Sequence, residues 1–595
     1  MCRIAGVINP SLPIEELQPL VQNMCMLQQH GGPDDEGQYA NAGCHLVFGH
    51  RRLSIIDTSS AGHQPMLYEQ GRFVISYNGE LYNYLQLQAE LKQLGVQFTT
   101  QSDTEVILAA YAAWGTAALE RFNGMFAFAI WDNATNDLLL ARDAAGIKPL
   151  YYAHTKEGLA FASEVRALKI IPYLQTPNDD WPVYLMAYGH LPEPVTTLKY
   201  VAPLEKGTFI KYNTVTGNII SKGTFSRFKY VEKIDQKDLV LNLIRHVLEK
   251  VVKRHLISDA PIGVFLSGGL DSSIIALLAN KHQAKLNTIS IYFDDKQYSE
   301  KKYQDILQQQ LSSSHQQYLL NENDFHTFLP SIVNAMDLPC CDGINTWFIS
   351  RYAKESGLKA VLSGIGGDEL FGGYPSFKRI KTALQLEKLP NNVLRAGRFS
   401  GSKKFRRLAY LSIKGPVGRY LFLRGQFVPC DIAKILNTDE AAVWKILEEQ
   451  PQLPNIDYLT APNQASWLET NMYMQNQLLR DADVMSMAHG LEIRVPFLDR
   501  DFMQLALKIK SNIKYSGNLG KQLLIDSFKD ELPEMIWDRP KMGFSFPFKE
   551  WLSNDMYSSA GNNTDLSSYH NKLKANEMHW SQFFTLLLMQ TYNNA

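Results

Sequence analysis

Cysteine is scarce: the 595 residues hold six, Cys2, Cys25, Cys44, Cys340, Cys341 and Cys430, with no C-x-x-C pair among them. That excludes a disulfide-stapled scaffold and offers no zinc-site spacing, so a reducing cytoplasm is the expected setting. Charge of one sign is lacking too, since 59 Lys and Arg face 60 Asp and Glu for a net of -1, with no dominating basic run. A nucleic-acid footprint and an anionic-membrane patch are therefore not expected. No stretch approaches the roughly 18 apolar residues of a spanning helix, and the N-terminus lacks the basic and apolar regions of an export signal. What is left is an ordinary globular composition, 45% hydrophobic and 20% charged. The chain is long enough for two domains or more, and small molecules are its expected partners.

Residues 1 to about 210 are rich in short β-like runs, among them Cys44 to Phe48, Phe73 to Tyr77, Met125 to Trp131 and Leu138 to Ala141, separated by Gly, Asp and Asn turns. Between them, Tyr82 to Leu94 and Asp103 to Ala113 carry apolar residues at helical spacing, so the class is mixed α and β. The polar, turn-rich stretch from Lys211 to Asp238 marks a boundary, and domains of 1–212 and 236–595 are expected. Leu239, Leu243, Val247 and Val251, with Val240, Ile244, Leu248 and Val252 beside them, predict a helix with one wide buried face. After it come "PIGVFL", a glycine turn, helical "SSIIALLANKHQ", strand-like "LNTISIYF", another helix and "KAVLSGIGGDELFGGY". Strands alternating with helices suggest a parallel sheet, whose ligands sit at the carboxyl ends of strands, where both glycine turns fall. Residues 377–487 read as mainly helical.

A cysteine directly follows the initiator methionine. Removal of Met1 would leave one residue with a thiol and a free α-amino group. That amine, with a pKa of about 7.7 to 8.0, can take the thiol proton near neutral pH and return it to a leaving amine. Three more segments set polar side chains beside apolar element starts: "GHRRLSIID" (Gly49 to Asp57), "YNGELYNY" (Tyr77 to Tyr84) and "SDTEVIL" (Ser102 to Leu108). An arginine grips an α-carboxylate, an aspartate holds an ammonium, and Asn-Gly presents amide donors to an oxyanion. With Cys2, these segments resemble the class II glutamine amidotransferase domain, an N-terminal-nucleophile hydrolase whose stacked antiparallel sheets lie between helices (αββα). The resemblance implies Cys2 as nucleophile, Asn78 and Gly79 as the oxyanion hole, Arg52 on the carboxylate of glutamine, and Glu80 and Asp103 on its ammonium. Glutamine would be cleaved through a thioester, giving glutamate and ammonia.

"FLSGGLDSS" places Ser267, Gly268 and Gly269 between an apolar strand and a helix start near Ser272, so backbone N–H groups and a helix N-terminus face one anion. It lacks the G-x-x-x-x-G-K-[ST] pattern of a P-loop. Ser-Gly-Gly-x-Asp-Ser resembles instead the loop of the ATP pyrophosphatases, which release pyrophosphate and leave AMP on the substrate. A second glycine-rich loop, "LSGIGGDELFGGYPSF" (Leu362 to Phe377), makes the pair resemble the synthetase domain of the asparagine synthetases. "RDADVMSMAHGLEIRVPFLD" (Arg480 to Asp499) and "GKQLLIDSF" (Gly520 to Phe528) extend the resemblance over nearly the whole chain. It implies an α/β parallel-sheet domain with a helical C-terminal part. Phe265 and Leu266 would offer backbone to the adenine, and Ser267, Gly268, Gly269, Asp271, Ser272, Ser273, Ile291, Ser363 and Gly364 would surround the nucleotide. Lys521 would stabilise the phosphate charge as pyrophosphate leaves, Asp271 and Asp368 would hold Mg²⁺, and Ile365, Asp368 and Glu369 would line the acceptor site.

By this resemblance, ATP adenylates a carboxylate, aspartate in the first instance, and ammonia made at Cys2 displaces AMP. An enclosed route would keep the ammonia neutral and undiluted. A homodimer is a family expectation. Three departures stand out: Ile365 replaces the family glutamate of Ser-Gly-Glu-Gly; His30-Gly31-Gly32-Pro33-Asp34 replaces His-Arg-Gly-Pro-Asp; and Arg142-Asp143-Ala144 replaces Arg-Asp-Arg. The first leaves the role of the glutamate in forming the acyl-adenylate unfilled or reassigned, which favours a different acceptor, such as a sugar acid or secondary metabolite. Attack by a peptide amine and a non-catalytic sensor of nucleotide or glutamine are the remaining alternatives.

Overall fold

The computed structural model describes residues 2–400, 402–543, 546–554, 556 and 564–594; Met1, whose removal the sequence reading calls for, lies outside them. The short strands of the first half form two six-stranded sheets. In the first, the order is Ala202–Pro203, Tyr151–Thr155, Gly158–Ala162, Arg3–Ile8, Leu46–Arg52, Asp35–Asn41. In the second it is Asn218–Thr224, Thr208–Asn213, Asp137–Arg142, Met125–Asp132, Phe73–Glu80, Met66–Tyr68. Every pairing in both is antiparallel.

Strand alternation sorts the side chains. Ile4, Ile8, Phe48, Val74, Trp131 and Leu140 fill the space between the sheets. Ala5 and Val7, on the other face, meet Leu17, Val21 and Met24 of the helix Ile14–Leu27. Ile75, Phe128 and Leu139 pack under the helices Tyr84–Gln93 and Asp103–Trp114. Helix, sheet, sheet, helix is the αββα sandwich of an N-terminal-nucleophile hydrolase. The stretch from Lys211 that reads as a linker begins with an edge hairpin; its last strand, Asn218–Thr224, is largely exposed and so carries no apolar alternation.

The helix Lys237–His255 leads into a five-stranded sheet of order Ser313–Leu319, Leu286–Tyr292, Ile262–Phe265, Ala360–Leu362, Glu492–Arg494, parallel throughout. The first of these strands in the chain lies in the middle, so the winding reverses between Ile262–Phe265 and Ala360–Leu362, and in sheets of this kind ligands sit in the crevice beyond the carboxyl ends at that point. Both glycine loops leave from there. Helices then dominate from Ser376 to Met487. They include a π-helix, Glu469–Leu479, a rare form of helix. It meets the first half: Gln475 Nε2 donates to Glu193 Oε2 at 2.5 Å and Glu193 N–H to Asn476 Oδ1 at 2.9 Å. Among the described residues, no helix is long and apolar enough to cross a membrane.

Candidate functional site

Cys2 precedes the strand Arg3–Ile8 and is 7% exposed. Alternation aims it, with Ile4, between the sheets. Burial pushes its thiol up, opposed by the chain's terminal ammonium, the Leu53 N–H and the Arg52 guanidinium. Arg52 ends its strand buried, with Nη1 donating to Ser59 O at 2.8 Å and Nη2 to the Asp57 carbonyl. The turn after the strand therefore fixes the direction of this arginine.

The strand Phe73–Glu80 is pinned to the first sheet by Ser76 Oγ on Gly49 O and His50 Nε2 on Tyr77 O, both at 3.0 Å. Its end carries three of the expected residues. Asn78 is fully buried, yet neither its Nδ2 nor its Oδ1 has a hydrogen-bond partner. Such an orphaned amide in a core is costly unless a ligand completes it. Gly79 lies so close to the neighbouring strand that a Cβ would fall 2.2 Å from Met125 O. Glu80 is buried, with Oε2 unpartnered and Oε1 3.3 Å from Arg494 Nη2.

Asp103 opens the helix Asp103–Trp114, behind an N-cap in which Ser102 accepts from Thr104 N–H. Its Oδ2 takes the Tyr77 hydroxyl at 3.0 Å and the Leu81 N–H at 2.9 Å. Burial raises it to about 6, although both donors pull it down. Burial and the facing Glu492 likewise hold Glu80 well above the usual carboxylate range. Two buried carboxylates with raised proton affinity lie here beside the single guanidinium of Arg494, an arrangement that suits a further ammonium.

Arg494 was missed by sequence reasoning, which took "GLEIRVPFLD" only as a mark of resemblance. Its Nε donates to Glu492 Oε1 at 2.5 Å, its Nη2 reaches Glu80, and its carbonyl accepts from Ser363 N–H at 2.8 Å. One residue thus touches the pocket beside Cys2 and the second glycine loop.

At the switch point, the first loop turns at Gly268, whose φ of +79° a side chain would strain, and enters the helix Leu270–Asn280. Ser267 Oγ lies 2.9 Å from Ser272 Oγ, Gly269 N–H donates to Ser267 Oγ at 3.2 Å, and Ser273 Oγ caps the Gly269 carbonyl at 2.6 Å. Leu266 is fully buried, its N–H given to Ile289 O at 2.9 Å and its carbonyl taken by Ser290 Oγ. Phe265 is half-buried at the strand end, and Ile291 is buried at the end of the neighbouring strand. The second loop packs on the first through Asp271: a Cβ at Gly367 would lie 2.4 Å from Asp271 Oδ1.

Lys521 joins the loops. Its Nζ is 2.6 Å from Asp271 Oδ2 and 2.8 Å from Asp368 Oδ1, and its backbone is left-handed at φ +60°. For a residue with a Cβ that conformation costs roughly 1–2 kcal/mol, the kind of strain that functional sites retain. Lys541, also missed, reaches Asp368 Oδ2 at 2.7 Å. Burial works against ionisation of Asp368, but the two lysines hold it down at about 2. Arg539, two residues before Lys541, donates to Gly268 O at 2.9 Å and Glu300 Oε1 at 2.8 Å. Two cations in "DRPKMGF" near the end of the chain were the available signal for both.

Ser363, Gly364 and Ile365 are half-buried at the mouth of the second loop. Glu369 is buried below it, accepting from Gly366 N–H at 3.1 Å and Tyr374 Oη at 2.7 Å, and burial with Asp368 nearby raises it to about 7.

Comparison with known proteins falls along the same division. Residues 1–222 match the family model of the glutamine amidotransferase domain and residues 243–583 that of asparagine synthase. Glutamine-hydrolysing asparagine synthetase 1 of Bacillus subtilis is 33% identical over 581 residues, covering 93% of this chain and 88% of that one. Asparagine synthetase B of Escherichia coli is 29% identical over 570 residues, covering 92% and 82%.

Proposed function

Because the chain belongs to the family of glutamine-hydrolysing asparagine synthetases, we propose that it hydrolyses glutamine at Cys2 and uses the ammonia to amidate a carboxylate adenylated by ATP, with aspartate as the acceptor and AMP and pyrophosphate as products. The observation that carries this is the orphaned Asn78 amide in a buried pocket with two protonation-prone carboxylates, on the same chain as a glycine-loop pair joined by Lys521.

In this reading, Arg52 holds the carboxylate of glutamine, while Glu80 and Asp103 receive its ammonium and return to the ionised state as they do so. The freed α-amine of Cys2 takes the thiol proton. That base is needed, because burial keeps the resting group a thiol. Asn78 Nδ2 and the Gly79 N–H stabilise the oxyanion as the thioester forms, and the amine returns the proton to departing ammonia.

At the second site the loop Ser267 to Ser273 faces the phosphates, and Lys521 moves its charge onto them as pyrophosphate leaves. Asp271 and Asp368 fit a magnesium ion, which takes one or two carboxylates and draws its other ligands from phosphate and water. Asp271 Oδ1 is buried without a hydrogen-bond partner, and no larger cluster of metal-type side chains converges among the described residues. Magnesium bound there supplies charge neutralisation at the phosphates.

The same chemistry on another carboxylate is the second reading, and Ile365 favours it. An apolar branched side chain stands where the family glutamate serves the acyl-adenylate. Glu369 is no free replacement, since both its oxygens are engaged. The test is incubation with glutamine, Mg-ATP and a panel of carboxylates, following glutamate, AMP, pyrophosphate and amide. Aspartate-dependent AMP release supports the first reading, and release with another acceptor alone replaces it. Cys2→Ala abolishes glutamine-driven amide formation and retains the ammonium-driven reaction; loss of both would sink the division of labour.

A further inference from the structure

Arg3 follows Cys2 in the chain but points to the opposite face of the strand, where it is fully buried. Its Nε donates to Glu164 Oε1 and its Nη1 to Asp483 Oδ2, each at 2.7 Å. Asp483 belongs to the helix Arg480–Met487 of the second half, so this guanidinium ties the strand of the nucleophile to the other catalytic unit. Lys148 Nζ holds the second oxygen of Asp483 at 2.9 Å, while His30 and Arg166 complete Glu164. Burial alone would raise both carboxylates; the cations, Arg3 among them, hold both below the usual range.

The room for Arg3 exists because residue 31 has no side chain. A Cβ built on Gly31 would lie 2.7 Å from Arg3 Cγ and 2.8 Å from Arg3 Nε. Gly31 closes the short 3-10 turn Gln29–Gly31 and is not left-handed, so its own backbone would accept a side chain and only the neighbour forbids one. By the resemblance to the asparagine synthetases, this is the position where their His-Arg-Gly-Pro-Asp pattern has arginine.

We propose that Arg3 is a positioning residue for ammonia transfer, a cationic clamp from the strand of Cys2 that uses the space left by the missing side chain at position 31. The clamp extends beyond one ion pair. The helix of Asp483 runs through Gly490 into the strand Glu492–Arg494, whose last carbonyl holds the Ser363 N–H at 2.8 Å. Rigid elements therefore lead from the nucleophile to the nucleotide loop, and Arg3 is the joint between the two halves of that path. The inference rests on the two-site reading above.

The test uses the full chain with Arg3→Gly, Gly31→Ala, their combination, and the exchange Arg3→Gly/Gly31→Arg. Each is assayed below its melting point for glutamate release and for AMP release driven by glutamine or by ammonium chloride. Arg3→Gly and Gly31→Ala should each keep ammonium-driven AMP release within about twofold of native, while AMP formed per glutamate falls about fivefold, the scale of ordinary coupling between sites. Gly31→Ala should add nothing in the Arg3→Gly background, because the side chain it displaces is gone. The exchange should recover about half or more of the native ratio, a result that loss of fold alone does not produce. An unchanged ratio in Arg3→Gly, an exchange no better than Arg3→Gly, or collapse of every activity together would each overturn the proposal. If the native chain releases no AMP with any acceptor, the two-site reading fails instead. Melting temperatures then decide the exchange, which holds only if Arg3→Gly/Gly31→Arg melts above Arg3→Gly.

Discussion

Around Cys2, both ends of the buried Asn78 amide and Glu80 Oε2 stand without hydrogen-bond partners, beside an Asp103 whose affinity for a proton burial has raised. Around the first glycine loop the carboxylates are already met by cations, although Asp271 Oδ1 has no hydrogen-bond partner. Lys521 lies 2.6 Å from Asp271 and 2.8 Å from Asp368, and Lys541 lies 2.7 Å from Asp368. The first site is preorganised and electrostatically incomplete, so in the proposed reading glutamine would enter with its ammonium as the missing charge and little would have to move. The second is closed on its own ion pairs. In the proposed reading, substrate phosphates would draw the lysines off the carboxylates, leaving Asp271 and Asp368 free to hold the magnesium. One site meets its cost on folding and the other on binding.

The largest effect that sharpens this contrast is at the shared cation. Lys521→Met leaves Asp271 and Asp368 facing each other and removes the charge proposed to follow the leaving pyrophosphate. AMP release should fall about 10²- to 10³-fold, with glutamate release within about twofold of native. The measurement is the two product rates on one preparation. A parallel fall in glutamate release would erase the distinction between the sites.

Next in size is Asp103→Asn. It keeps the shape and the two hydrogen bonds at the carbonyl position but removes the charge offered to an ammonium. Loss of a charge-assisted hydrogen bond predicts a drop of about 10- to 100-fold in kcat/KM for glutamine, carried mainly by KM, with the ammonium-driven reaction untouched. A change confined to kcat would mean that Asp103 acts on the chemistry rather than on binding.

The same carboxylate sets a pH dependence. Asp103 is raised to about 6, so below that pH the site is protonated and cannot receive an ammonium without first losing the proton. Glutamate release at low glutamine should therefore climb with pH through about 6, and climb again toward about 8 as the freed α-amine of Cys2 loses its proton. Asp103, Glu80 and Glu492 face one another, so the lower limb belongs to the group rather than to one residue. A profile flat from pH 5 to 7 would count against a charge-starved pocket.

Much of this was legible in sequence wherever a site is built from one stretch of chain. The run Phe73 to Tyr77 announced the strand that ends in Asn78, Gly79 and Glu80, and "FLSGGLDSS" announced the strand, turn and helix around Ser267. What stayed hidden is what distant segments do to each other. Arg494 comes to Glu80 only because the last strand of the parallel sheet lies on the side facing the first domain. Gly31 read as a lost arginine because spacing cannot show that Arg3 fills the vacated volume. The left-handed Lys521 was unreadable because nothing in "GKQLLIDSF" asks a lysine to adopt that conformation.

The smallest effect is on stability, and its sign is opposite to that on activity. A carboxyl whose folded pKa is raised stabilises the fold fully below its unfolded value, near 3.9, and that contribution is lost as pH rises through the folded value of about 6. Above pH 7, an ionised Asp103 without its ammonium is therefore a burden on the native state. Asp103→Asn carries no such charge, yet its amide oxygen can still accept from Tyr77 Oη and Leu81 N–H. In the absence of glutamine the variant should be the more stable chain at pH 7.5, by about 1 to 2 kcal/mol, and the gap should narrow at pH 4.5 and close only below the unfolded value near 3.9. Melting midpoints at the two pH values decide it. Saturating glutamine should reverse the order at pH 7.5, because only the native pocket gains the counter-charge. A variant less stable than native at both pH values without ligand would show that the pocket is satisfied as it stands, and the contrast between the two sites would fall with it.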